Sequence, residues 1–177
     1  MSSKNDRASP RILIIGIGNS FRTDDGAGIA AARRVRDRVP SGVTVIEATG
    51  EGAALLAAWR EAEKVILMDA VQSGSPPGTL LRLDLLAQKI PRSFVRCSSH
   101  AFSVAEAIEL ARALNRFPPR LIFYGIEGKN FEAGEGLSSE VERALGSLVE
   151  QVLEEVRERG GVAPPRAGIP RRAADLE

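Results

Sequence analysis

Short apolar runs recur along this chain, and stretches with helical spacing separate most of them. The runs predict five strands, over residues 11–16, 43–47, 64–69, 79–84 and 121–125. The first run is rich in β-branched residues and is typical of a strand buried on both faces. The fourth run follows the turn-forming segment Ser75–Gly78 and alternates only weakly, which is typical of an edge strand.

Four helices accompany these strands. They are predicted from Asp25 to the residue before Pro40, over 53–59, from Ser103 towards Pro118, and from Ser139 through Val156. Ser103–Glu106 and Ser139–Glu142 have capping-box spacing, so each serine marks a predicted helix start. Together the elements predict an α/β fold, a three-layer sandwich with a twisted, mostly parallel (mixed) sheet and helices on both faces. Such folds carry their sites at the carboxyl ends of the strands.

The length of 177 residues suits one folded domain. We predict a flexible polar leader at 1–10, a single α/β domain at 11–158, and a disordered tail at 159–177, where Gly and Pro leave little to bury. The helical faces are used within one sandwich, so we expect a monomer.

Composition narrows the possible functions. The chain has 24 basic and 23 acidic residues, and a net charge of +1 excludes charge-driven binding to nucleic acid or to an anionic membrane. One cysteine and one histidine exclude an internal disulfide and a closed zinc site made of Cys and His alone. No apolar run approaches a membrane span and no secretory signal is evident, so we expect a cytoplasmic protein.

The candidate chemistry lies in three places along the chain. The acidic pair Asp24–Asp25 follows the first predicted strand, Asp69 ends the third, and His100 is the only histidine. Two carboxylates and one imidazole suit a first-row ion such as Ni(II), Zn(II) or Mn(II), with positions left open for water or substrate. The sequence therefore favours an open metal site at the carboxyl ends of the strands.

Simpler interpretations of the acidic segment remain open. Gly16-Ile-Gly18 after a strand resembles the start of a dinucleotide fingerprint, with Glu47 as its later acid, but Phe21 stands where the third glycine is needed. The acidic pair also occupies the helix start that a pyrophosphate would require. Helix capping alone would explain one aspartate of the pair, but it explains a second less well.

Simpler interpretations of the histidine segment remain open too. His100 could be a hydrogen-bonded loop residue with no chemical role. A Ser-His-Asp triad with Ser98 or Ser99 is poorly supported, because each serine is a close sequence neighbour of the histidine and no Gly-x-Ser-x-Gly elbow exists. Cys97 is a weak candidate nucleophile, because only His100 is nearby to lower the pKa of its thiol.

Several motifs in order resemble those of the hydrogenase maturation endopeptidases. They are Gly16–Asn19, Thr23–Gly28, Asp69–Ala70, Ser98–His100 with Ala105–Ala107, Gly125–Gly128 and Gly136–Ser138. They span roughly residues 11–158, nearly the whole predicted domain. Two segments depart from the family pattern: Phe102–Val104 replaces a common Gly-Leu, and Glu47–Gly50 replaces an Asp-Gly-Gly type segment.

The resemblance implies an endopeptidase that removes the C-terminal extension of a nickel–iron hydrogenase large-subunit precursor after nickel insertion. Asp25, Asp69 and His100 match the family's three metal-contacting positions, and the nickel would be supplied by the substrate. The implied fold is the family's α/β sandwich around a mixed sheet. We assign supporting positions around this site to Gly18, Asn19, Asp24, Gly26 and Gly50.

Two mechanisms and two other functions stay open from the sequence. Nickel could orient the scissile peptide and polarise its carbonyl group or a water. Alternatively Asp25 or Asp69 acts as a general base while the metal only docks the substrate. A non-catalytic nickel chaperone would use the same three ligands, and a nucleotide-binding α/β module would use the glycine loop.

Overall fold

The computed structural model describes residues 12–87 and 101–158. The predicted leader (1–10), the segment 88–100 and the predicted tail (159–177) lie outside the described residues, as does Arg11. The predictions about His100, Cys97 and the serines between them therefore concern residues that the structure does not describe.

The sheet is mixed and mostly parallel, as predicted. Its strands are β1 (Ile12–Ile17), β2 (Val43–Ala48), β3 (Lys64–Val71), β4 (Leu80–Asp84) and β5 (Arg120–Glu127). Their spatial order is β2-β1-β3-β5-β4, and the first four of these are parallel to one another. Only β4, at the edge, runs antiparallel to its neighbour β5. We call the edge at which the parallel strands end the carboxyl edge, and the opposite one the amino edge.

The helices form two layers, one on each face of the sheet. A short 3₁₀ turn (Thr23–Gly26) leads into α1 (Ala27–Arg36), and the other helices are α2 (Gly52–Trp59), α3 (Ala101–Ala113) and α4 (Ser139–Arg157). Buried residues of α1 and α4 share one core cluster, and those of α2 and α3 share the other. The predicted three-layer sandwich is confirmed. No helix among the described residues is long and apolar enough to cross a bilayer.

Strand β3 lies at the centre of this arrangement. All of its residues are buried, and its side chains alternate between the two cores: Leu67 and Val71 face α2 and α3, whereas Met68 faces α1 and α4. The same alternation places the side chain of Asp69 on the face of Leu67 and Val71. A carboxylate therefore sits inside a fully buried central strand, and β3 extends two residues beyond the end predicted at Asp69.

Both predicted capping boxes are wrong. Helix α3 begins at Ala101, so Ser103 lies inside it. Helix α4 does begin at Ser139, but its N-cap is Ser138, and the hydroxyl of Ser138 donates to Asp24 instead of accepting from the helix. Glu142, expected to complete the second box, pairs with Arg34 of α1. At the second box, partners distant in sequence replace the predicted local hydrogen bonds.

A cluster of buried charge fixes the amino edge. The carboxylate of Glu155, in α4, accepts from Lys64 Nζ at 2.6 Å, from Arg82 Nη2 at 2.7 Å and from Arg120 Nη2 at 3.4 Å. Burial raises the pKa of Glu155, but the hydrogen bonds and charges of Lys64 and Arg82 together lower it by more. The net pKa therefore lies below its usual value. Burial and the charge of Glu155 also raise the pKa of Tyr124 to about 12. Helix α4 is thereby tied to β3, β4 and β5.

Glu155→Gln should lower the free energy of unfolding by about 3 kcal/mol, because it leaves three cations around a neutral buried side chain. The folded-state pKa of Glu155 is depressed, so its contribution is fully present above the unfolded pKa of about 4.3 and is lost as pH falls through the folded value. Urea unfolding at pH 7 and pH 3 measures both effects. Glu154→Gln, at an exposed neighbouring position, is the matched control. Equal stability of the two variants at pH 7 would contradict the assignment.

Candidate active site

Close packing of α1 brings the 3₁₀ turn onto the ends of β1 and β3. A Cβ at Gly28 would lie 2.3 Å from the carbonyl oxygens of both Ile17 and Met68, so only glycine allows this approach. The 3₁₀ turn itself contacts β3. Asp25, three residues before Gly28, is therefore held at the carboxyl edge, on which Asp69 also lies. Each of these two aspartates is only 1% exposed.

The loop before the turn holds the backbone of Asp25. Gly18 has a φ of +152°, and a Cβ there would lie 2.0 Å from the carbonyl oxygen of Asp25. The N–H of Asn19 donates to the same oxygen at 3.3 Å, and the N–H of Gly18 donates to Ala48 of β2 at 3.1 Å. Gly18 and Asn19, both predicted as supporting positions of the site, thus contact the backbone of Asp25.

Asp24 has a different role from its neighbour. It is fully buried, and its carboxylate accepts from Ser138 N at 2.6 Å, Ser138 Oγ at 2.9 Å, Lys129 N at 2.8 Å and Asn130 N at 3.0 Å. Burial raises the pKa of Asp24, but these hydrogen bonds to the charged form outweigh it, and the net pKa is lowered. Capping of its own helix does not describe Asp24, because its carboxylate binds the N-cap of α4 instead.

Further hydrogen bonds join the loop 18–24 to the loop 128–138. The N–H of Thr23 donates to Gly134 O at 2.9 Å, and the Thr23 hydroxyl donates to Asn130 O at 2.7 Å. In return, the N–H of Gly134 donates to Phe21 O at 2.9 Å. Thr23 has a φ of +47°, a strained value for a β-branched residue that persists only where its surroundings fix it. The two loops therefore form one unit beside Asp25.

Asp69 and Glu127 occupy the carboxyl ends of adjacent strands. Oδ1 of Asp69 accepts from the N–H of Ala70 at 2.8 Å. The carboxylate of Glu127 accepts from Ser73 Oγ at 2.7 Å, Ser73 N at 3.0 Å and Gly74 N at 2.9 Å, and so fixes the loop that follows β3. The strand predicted from the sequence ends at Gly125, two residues before β5 ends, so the sequence did not mark Glu127 as an acid at a strand end.

The remaining predicted residues fall in three situations. Gly26 is the buried N-cap of α1, and Gly50 is a buried turn residue with a φ of +89° just before α2. His100 lies outside the described residues, and α3 begins at the residue that follows it. Within residues 12–87 and 101–158, no three His, Cys, Asp or Glu side chains are grouped closely enough to hold a metal ion. The described part of the chain therefore supplies two buried carboxylates to the predicted site.

Comparison with known proteins decides the family. A family model described as hydrogenase maturation protease matches residues 29–155. The hydrogenase 2 maturation protease of Escherichia coli (strain K12) is 30% identical over 163 residues, covering 90% of this chain and 98% of that protein. The chain belongs to the hydrogenase maturation protease family. The resemblance drawn from the ordered motifs is confirmed.

Two further relatives of this maturation protease agree. The hydrogenase expression/formation protein HoxM of Azotobacter vinelandii is 32% identical over 173 residues, covering 94% of this chain and 82% of HoxM. The solved hydrogenase maturating endopeptidase HybD from E. coli superimposes with a TM-score of 0.72 at 28% identity, covering 85% of this chain and 94% of HybD. This maturation protease is an endopeptidase, and therefore a hydrolase. That assignment replaces the chaperone and nucleotide-binding alternatives.

Asp24→Asn should destabilise this maturation protease by about 2–3 kcal/mol, because an amide group would face backbone donors that now bind a buried carboxylate. The folded-state pKa of Asp24 is lowered, so its contribution is fully present above the unfolded pKa of about 3.9 and is lost as pH falls through the folded value. Urea unfolding between pH 7 and pH 2.5 measures this. Asp37→Asn, at an exposed position after α1, is the matched control. If Asp24→Asn loses no more free energy of unfolding than Asp37→Asn, the two joined loops do not depend on Asp24.

Proposed function

We propose that this endopeptidase removes the C-terminal extension of a nickel–iron hydrogenase large-subunit precursor after nickel has been inserted. In this proposal Asp25, Asp69 and His100 contact the nickel that the precursor holds. The observation that carries the proposal is the presence of two deeply buried carboxylates, from different elements, at one edge of the sheet. The metal belongs to the substrate, so the purified protease is not required to retain it.

The chemistry of the two carboxylates supports a divalent ion. Carboxyl groups buried at one edge of the sheet offer oxygen ligands to a cation that the substrate brings to them. Carboxylate oxygens together with an imidazole nitrogen form a donor set that suits Ni(II). Because only a nickel-loaded precursor supplies the cation, metal occupancy becomes a condition of productive binding.

The fold also supports His100 as the third contact. Helix α3 begins at Ala101, directly after His100 in the sequence, and its buried residues Val104 and Ile108 belong to the core on one face of the sheet. Alternation along β3 places the side chain of Asp69 on that same face. The position of His100 itself remains a prediction.

The chain's own residues then have separable tasks in catalysis. Asp25 and Asp69 position the metal-bearing segment of the precursor, which holds the scissile peptide in a fixed place. A nickel ion held by these residues would supply Lewis-acid polarisation of the peptide carbonyl group or of a water. The competing mechanism makes Asp25 or Asp69 the general base that accepts a proton from the attacking water.

Asp25→Asn and Asp69→Asn should each reduce cleavage of the nickel-loaded precursor at least about 100-fold, because each removes a negative charge needed for metal contact or proton transfer. Intact mass spectrometry scores loss of the C-terminal peptide, and co-precipitation scores precursor binding. Weakened binding indicates metal contact, whereas retained binding without cleavage indicates the general-base role. His100→Gln in the same assay tests the third contact.

The control for this experiment is Asp37→Asn, which removes an exposed aspartate just after α1. It should cleave at the wild-type rate and bind normally. Circular dichroism and thermal unfolding of every variant confirm that a loss of cleavage is not a loss of fold. Wild-type rates in both Asp25→Asn and Asp69→Asn would overturn the proposed site.

A further inference from the structure

A large aromatic side chain stands exposed beside the candidate site. Phe21 is 70% exposed, the highest value among the large apolar residues that the structure describes as exposed. It precedes Asp25 by four residues in the loop that runs from β1 into the 3₁₀ turn. Burying a phenylalanine side chain is worth about 1.5–3 kcal/mol, so its exposure here forgoes a substantial gain.

The backbone around Phe21 fixes this exposure. The N–H of Phe21 donates to Asn19 Oδ1 at 3.0 Å, and its carbonyl oxygen accepts from Gly134 N at 2.9 Å. The next residue, Arg22, forms a β-bridge with Gly134, and its guanidinium donates to Phe131 O at 3.0 Å. These contacts fix the backbone of Phe21 and therefore the direction in which its side chain leaves the loop.

Isolated exposed apolar residues are common on protein surfaces, so exposure alone would mean little. Leu110 and Leu114 illustrate this: they are 38% and 48% exposed near the end of α3, which leads to the amino edge where β5 starts. Phe21 differs in two respects. It lies on the carboxyl edge with Asp25, and it is held by a loop that stores backbone strain at Thr23.

The distance between Phe21 and Asp25 limits which part of a bound peptide can contact Phe21. Four residues of chain span at most about 14 Å, so the Cα of Phe21 lies within that distance of the Cα of Asp25. An extended polypeptide advances about 3.3 Å per residue. A peptide whose scissile bond is held at Asp25 covers the same distance in about four residues, so a side chain that close to the cleaved bond can reach Phe21.

We propose that Phe21 is a docking residue that binds an apolar side chain of the precursor within about four residues of the cleaved bond. This inference rests on the proposed function, because the occupant is the polypeptide that the endopeptidase cuts. The ring buries its exposed face only when substrate is bound, and the gain in apolar burial stabilises the enzyme–substrate complex. Phe21 makes no contact with the reacting atoms and so acts on binding, not on the chemical step.

The test is a steady-state comparison of Phe21→Ala, Phe21→Leu and Leu114→Ala with the wild-type enzyme on nickel-loaded precursor. Phe21→Ala should raise KM about 10-fold with kcat within about twofold, because it removes binding energy that is equal in the ground and transition states. Phe21→Leu should recover most of the loss. Leu114→Ala, at an exposed apolar position on the amino edge, should change neither constant.

The outcomes separate this proposal from the proposed function. Thermal unfolding of Phe21→Ala and Phe21→Leu should match the wild type, because the ring is exposed. Cleavage by the wild type with an unchanged KM in Phe21→Ala overturns the docking role and leaves the proposed function standing. A fall in kcat without a change in KM overturns it as well. Failure of the wild type to cleave the precursor overturns both.

Discussion

The carboxylate of Asp24 is the constraint on which the carboxyl edge depends. It is buried, and its charge is stabilised by backbone and hydroxyl donors of Lys129, Asn130 and Ser138. Because Ser138 is the N-cap of α4, the same interaction aligns an anion with the start of that helix. The loop that carries Asp25 is thus anchored to a loop more than 100 residues later in the chain.

The two edges of the sheet use buried charge differently. At the amino edge, Glu155 is surrounded by Lys64 and two arginines, and the cluster ties α4 to three strands. At the carboxyl edge, Asp25 and Asp69 place two carboxyl groups deep in the fold, next to loops fixed by Asp24 and Glu127. The charge cluster at the amino edge and the fixed loops at the carboxyl edge together hold the acidic groups in a fixed geometry. Recognition of a metal-bearing substrate requires such a geometry.

The sequence predicted the fold well because its signals are local. Apolar runs such as 64–69 specify buried strands directly, and parallel strands end at one edge of the sheet, so Asp25, after β1, and Asp69, near the end of β3, fall on the same edge. The missed features depend on distant partners. Asp24 binds donors more than 100 residues away in sequence, so neither its role nor the displaced cap at Ser138 follows from local spacing. Glu127 was missed because the strand predicted over 121–125 ends two residues too early to place this acid at its end.

The central claim is that a substrate-borne nickel ion, sensed at Asp25 and Asp69, is the condition for cleavage. The most direct measurement incubates the wild-type protein with nickel-loaded and nickel-free large-subunit precursor and scores the C-terminal peptide by intact mass. The account predicts cleavage of the loaded precursor only. Equal cleavage of both forms would contradict the claim that nickel is recognised, and cleavage of neither would contradict the proposed function.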